Sequence, residues 1–217
     1  MTASPLSAVA TLPPLARQAE LLIDRGLAAL AGISPDQLRA VARDDAGDGL
    51  LVVSPAALPP SALAPHLRLG DRAGFVVTDM TDVDEFAPIG GVEVPEALAY
   101  VLRGIDRGDE MANWSPDEAL PAIVGAGRTP LTLAEGIHWV LQQPNALERN
   151  RCFMTIGSRK PKVRGGLDSR TPALWISNGT GRDGAANRHA PKVGWCWAGN
   201  RHTWLGFASA ASREPLG

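Results

Sequence analysis

Cysteine is almost missing from this chain. Its 217 residues hold two, Cys152 and Cys196, too few for a disulfide framework, and both read as reduced thiols. Lysine is scarce too, with three residues (Lys160, Lys162 and Lys192), all in the last third. No apolar run approaches the roughly 20 residues that span a bilayer. The opening stretch MTASPLSAVATLPP lacks the basic region and unbroken apolar segment of a secretory signal. No membrane partner is expected, and the cytoplasm is the expected compartment. The usual cofactor signatures are absent as well. The loop Asn178–Gly184 lacks the Gly-Lys-Ser/Thr of a P-loop, and no helix follows it as a dinucleotide fingerprint requires. Asp79, Asp82 and Asp84 could offer hard oxygen ligands, but their segment lacks the glycine and glutamate spacing of a calcium loop. Four scattered histidines and two distant cysteines have no zinc spacing. Neither a cofactor nor a metal is expected.

What the chain does have is the balance of an ordinary globular protein, 45% hydrophobic and 20% charged. Its net charge of −2 conceals a division. Residues 1–150 carry 10 Arg and 20 acidic residues, a net −10, whereas residues 151–217 carry 11 Lys and Arg and 3 acidic residues, a net +8. Such asymmetry points either to an anionic ligand for the basic part or to mutual attraction of the two parts. Nucleic acid is disfavoured, because the acidic two-thirds would repel a long polyanion.

Residues 1–13 read as a flexible arm and residues 14–217 as one α+β domain, its acidic α/β part at 14–150 and its basic β-rich part at 151–217. Leu15, Ala19, Leu22, Ile23, Leu27 and Leu30 recur at helical spacing, predicting one helix that ends near Gly32. Ser34-Pro35-Asp36-Gln37 starts a second helix to about Arg43, followed by an acidic loop at Asp44–Gly49. Leu50–Ser54 and Gly74–Thr78 are strand-like, with a short helix or turn at Pro59–Leu67 between them, and their spacing favours parallel pairing. Leu98–Ile105 is a third strand. Ser115 and Thr132 open two further helices by capping boxes, the second running over Leu133–Gln143. Four strands follow: Cys152–Ile156, Ala173–Ser177, Val193–Ala198 and Thr203–Ala208. The expected fold class is therefore α+β, with an N-terminal helix pair, a small mixed α/β layer and a C-terminal antiparallel sheet.

The densest segment is PKVGWCWAGNRHTWLGFAS at Pro191–Ser209, which holds three of the six tryptophans. Its alternation and the Gly199-Asn200 turn predict a β-hairpin. Trp195 and Trp197 would share a buried face, with Arg201 and His202 at the hairpin end. Two functional readings share one pocket. In the first, a small anionic or aromatic ligand binds between Arg159, Lys160, Arg182 and Arg201 and an apolar wall of Trp195, Trp197 and Trp204. In the second, an enzyme uses His202 as acid/base with Asp79 or Asp82 orienting a substrate or a metal. In a third reading the tryptophans face a partner protein. The sequence does not decide whether the chain is an enzyme, and self-association stays open.

The segments DMTDVDEFAPI, MANWSPDEALPAIV, GRTPLTLAEGI, NRCFMTIGSRKP, PALWISNGTGRDG and GWCWAGNRHTWLGFASA together resemble an uncharacterised bacterial family, domain of unknown function 5701. The resemblance covers nearly the whole chain after the first dozen residues. It implies a single compact unit and a GC-rich bacterial source, and it brings no activity, substrate or catalytic residue with it.

Overall fold

The computed structural model describes residues 11–43 and 48–216. Most of the expected flexible arm and most of the acidic loop Asp44–Gly49 therefore lie outside the described residues. The first helical run divides in two. α1 (Leu15–Asp24) buries Leu15, Ala19 and Leu22, and the chain then turns at Gly26 (φ +73°) into the short α2 (Leu27–Leu30). The positive φ at Gly26 breaks the single expected helix and leaves Leu30 exposed. α3 (Pro35–Arg43) starts where Ser34 caps it, Ser34 Oγ accepting the Gln37 N–H at 3.2 Å while Ser34 N–H donates to Gln37 Oε1 at 2.9 Å. Next come α4 (Pro60–Leu63), α5 (Pro116–Gly125) and α6 (Leu133–Gln142). Both predicted capping boxes are formed, at Ser115/Glu118 and Thr132/Glu135.

Two sheets organise the rest. Three antiparallel strands, Leu50–Val53, Ala99–Arg103 and Ser212–Leu216, make one, with Ala99–Arg103 in the middle. The other has the order Leu205–Phe207, Cys152–Met154, Arg170–Ile176, Pro191–Trp197, Phe75–Val76. Its three central strands run antiparallel, and each outer strand lies parallel to its neighbour. The architecture is α+β, with N-terminal helices and a C-terminal antiparallel sheet.

Two expected pairings are not formed. Leu50–Val53 and Phe75–Val76 belong to different sheets: the first pairs with Ala99–Arg103 and the second with Pro191–Trp197. The segment between them holds only the one-turn α4, where a parallel crossover usually carries a full helix. Pro191–Trp197 and Leu205–Phe207 make no hairpin. The turn after Trp197 does close, Asn200 N–H reaching the Trp197 carbonyl at 3.0 Å, but Ala198 N–H is taken by the Ser169 carbonyl at 2.8 Å. The chain then crosses to the far edge, where the Trp204 carbonyl accepts the Cys152 N–H at 3.0 Å and Leu205 and Phe207 bury their side chains. Burial of those two residues beside Cys152–Met154 decides the pairing.

α6 lies against both sheets, and all ten of its residues are buried, as expected of a helix that is apolar nearly all round. Trp139 packs on Phe153 at 4.9 Å between ring centroids. Of the buried polar side chains of α6, His138 and Glu135 are satisfied, whereas Gln142 donates to the Gln18 carbonyl at 3.1 Å and leaves its Oε1 without a partner. His138 Nε2 accepts the Val53 N–H at 3.3 Å, so Nδ1 carries the proton and donates to the Ala134 carbonyl at 2.9 Å. Glu135 accepts from Tyr100 Oη at 2.9 Å and from Arg213 at 2.6 and 2.8 Å, which ties α6 to two strands of the three-stranded sheet. Among the described residues no helix is long and apolar enough to cross a membrane.

Candidate functional site

The residues singled out by composition fall into three places. The first is a lattice of ion pairs where the acidic turn meets the basic strands. Asp82 takes both guanidinium nitrogens of Arg170, at 3.0 and 2.6 Å, and Lys160 Nζ at 2.7 Å. Lys160 also reaches Glu85, and Arg170 also reaches Asp168. Arg159 donates to the Asp168 carbonyl at 2.8 and 2.5 Å. Hydrogen bonds from Arg170, then from Lys160, hold the Asp82 carboxyl far below the ordinary range. Beside them Arg182 pairs with Asp79 at 2.6 Å and lies 4.7 Å from the centroid of Trp195. Trp195 is half-buried, and Trp197 meets it edge-on at 4.6 Å but remains 47% exposed. The expected burial of Trp197 therefore fails: it is the last residue of its strand and projects past the covered part of the sheet. The two oppositely charged parts meet here, and these cations are spent on acceptors of the chain itself.

Arg201 lies elsewhere, bonded to the Asn113 carbonyl and to Glu118 at the start of α5. Trp204 and His202 form the third place, their rings 5.3 Å apart. His202 Nε2 is buried without a hydrogen-bond partner, and burial lowers the imidazole pKa. Among the described residues no carboxylate hydrogen-bonds its Nε2.

Trp204 leads to a site that composition did not mark. Phe153 and Leu174 pair on the face of the five-stranded sheet covered by α6, so alternation turns Cys152, Trp175 and Lys192 to the other face. There a cavity of about 490 Å³ opens, walled by Trp175 and Trp204 with Cys152, Ser177 and Lys192 below. The indoles stand nearly perpendicular, 6.2 Å apart. At the floor Lys192 Nζ lies 4.2 Å from the Trp175 centroid and donates to Asp183 at 2.6 and 2.8 Å. Ser177 Oγ also donates to Asp183, at 2.8 Å, and accepts the Gly179 N–H at 3.0 Å. The side chains of Lys192 and Asp183 are only 6% and 3% exposed. Desolvation draws the Lys192 pKa below its ordinary value, against the opposing pull of Asp183. Burial pushes the Cys152 thiol up to about 11, so at neutral pH it is an inert thiol donating to the Glu148 carbonyl at 3.4 Å.

Local sequence explains the construction. Trp175 and Lys192 are cross-strand partners, which lays the ammonium on the indole face. A Cβ at Gly194 would stand 2.8 Å from the Trp175 ring, so only glycine leaves the indole room to lie across the strand. The Gly-rich loop after Ser177 closes in a single 3₁₀ turn, Gly181–Asp183, and returns Asp183 beneath Ser177. At the mouth, Glu148 and Arg151 close a two-residue turn that holds Arg149 and Asn150 (φ +64°) at the rim. Lys192 and Asp183 escaped sequence reasoning because one lysine in a strand and one aspartate in a glycine-rich loop both look solvated. The available signal was the lysine itself, placed between the apolar residues Pro191 and Val193.

Fold and site thus define an α+β protein with an aromatic cavity over a buried lysine–aspartate pair on the open face of its larger sheet. The chain belongs to DUF5701, a family of unknown function, whose family model matches residues 21–216. No curated protein and no solved structure matches it.

Proposed function

We propose that this chain binds a small aromatic ligand that carries a carbonyl or carboxylate oxygen, held in the cavity between Trp175 and Trp204. The observation that carries the reading is the Lys192 ammonium, buried on the Trp175 face with two of its three N–H groups on Asp183. The third N–H is left for an acceptor on the ligand. The perpendicular indoles give a flat ring both a face and an edge to pack against. Because Asp183 neutralises Lys192, attraction of an anionic group falls to Arg149 at the mouth, which is exposed. The pocket thus sets two indoles against polar groups at its floor and rim, and fixed polar groups of this kind orient a ligand in small-molecule sites.

The test is a titration of intrinsic tryptophan fluorescence with benzoate and benzamide. Saturable quenching is expected, and Lys192→Met should weaken it about tenfold or more, the cost of one lost charge-assisted hydrogen bond. Unchanged affinity in Lys192→Met, with a melting curve showing the fold intact, would remove the reading. A second reading, a surface for a partner protein, is supported by the exposure of Trp197, Leu167 and Val163 around one end of the same sheet. Trp197→Ala would then abolish partner capture while leaving benzoate binding untouched.

A further inference from the structure

We propose that Lys192 is a covalent site for small aromatic aldehydes and ketones, binding them as an imine in the Trp175/Trp204 cavity. The inference rests on the binding reading above and makes it more specific: among oxygen acceptors, the carbonyl group is the one Lys192 would capture. A lysine that lies under 10% exposed yet lines a cavity, packed against an indole face, is unusual, because taking an ammonium out of water is costly. Where such a lysine does occur, its nucleophilicity is a common use of it.

The geometry supplies the remaining parts. Asp183 lies 2.6 Å from Nζ and can take one proton, leaving a neutral amine whose lone pair turns toward the cavity. The groups that influence Nζ are Asp183, Arg182 and Cys196, together with the overlying Trp175 ring; Asp183 is the one that bonds it. Attack of the amine nitrogen on the carbonyl carbon forms a C–N bond, and the carbonyl oxygen takes the proton held by Asp183. The resulting carbinolamine loses its hydroxyl with a second proton as water. The sum is one ammonium plus one carbonyl giving one iminium plus one water, with no oxidant or reductant. The positive charge stays on the same nitrogen, so the iminium inherits the Asp183 carboxylate and no buried charge is left unpaired. Ser177 holds Asp183 in place through the proton it already donates at 2.8 Å. Surface lysines lack this arrangement: Lys162 is exposed, and Lys160 is engaged by Asp82 and Glu85.

With three lysines in the chain, mapping is decisive. The full-length protein is incubated with benzaldehyde and cyanoborohydride, which reduces any imine to a stable benzylamine, and the modified residue is located by peptide mass spectrometry. Saturable benzylation of Lys192 is expected, about 100-fold faster than at Lys162, a margin typical of a positioned acid/base. Asp183→Asn should remove most of that margin. Lys192→Arg keeps a cation on Asp183 and cannot form an imine; it should abolish trapping at this position with the melting curve unchanged. Benzylation of Lys162 and the terminal amine with Lys192 untouched overturns the covalent site. If benzoate binds under those conditions the cavity reading survives, and if benzoate also fails to bind both readings fall.

Discussion

At Gly194 the strand omits a side chain so that an indole can occupy the space, and the cavity depends on that omission. Gly194→Ala would force its methyl against the Trp175 ring and the Val77 side chain. Overpacking of this kind costs about 1–3 kcal/mol. The expected outcome is a lowered melting midpoint with aromatic-ligand binding lost first, since the displaced indole is the cavity wall. Trp197 offers the contrast. Two-residue alternation correctly placed it on the face of Trp195, but alternation carries no information about where a sheet stops being covered. With nearly half its surface in solvent, Trp197→Ala should change stability by less than about 1 kcal/mol, readable in a thermal melt. A loss as large as that of a buried indole would show that Trp197 is covered in solution by another molecule.

Among the elements, α6 is the one whose chemistry reaches furthest. His138 is enclosed on all sides, and desolvation drives its pKa from 6.5 down to about 4. The unfolded chain therefore binds a proton near pH 6.5 that the folded chain refuses until about pH 4. Stability from this group is complete above pH 6.5 and is lost progressively as pH falls through that window, by about 3 kcal/mol in all. His66 and His202, whose pKa values burial also lowers, act in the same direction. Urea unfolding from pH 7 to pH 4 should show this slope, and His138→Gln should flatten it while lowering stability at pH 7. The carboxylates held low by cations, Asp82 and Asp168 among them, act in the same direction from the foot of that window downward, as pH falls through their unfolded values. The helix was legible in advance because its signals are local: a threonine, a glutamate three residues on, an apolar run and a proline. The caps at Ser34 and Ser115 were legible for the same reason. Strand pairing was not, because which strands become neighbours is decided by burial across the whole sheet, as Leu205 and Phe207 demonstrate. The pocket was half legible. Tryptophan and arginine could be seen, but the partition of Trp195 from Trp204 onto opposite sides of a sheet could not.

For the whole molecule, the charge division marks a contact rather than a boundary. Asp79, Asp82, Glu85, Glu118 and Glu135 each pair with a cation from beyond residue 150. All but the buried Glu135–Arg213 pair are partly exposed, and pairs of that sort contribute about 0–1 kcal/mol each, so they align the two parts more than they hold them. Apolar burial does the holding. Phe153 and Leu174 are covered by α6, and the edge strand Phe75–Val76 comes from the acidic part. Residues 151–216 made alone would expose that face and edge and should aggregate. Co-expression with residues 1–150 should restore a soluble complex, checked by size-exclusion chromatography. A soluble, cooperatively melting 151–216 fragment would contradict this account.

The strand Ser212–Leu216 runs beside Ala99–Arg103, more than a hundred residues upstream. A ribosome adding roughly 5–20 residues per second needs several seconds to cover that interval. Throughout it, Ala99–Arg103 waits with one edge bare, and Glu135 has no Arg213 to neutralise it inside the helix that carries it. Folding of this chain is therefore timed by translation: the smaller sheet cannot close, nor the central helix settle on its charges, until synthesis has passed residue 216.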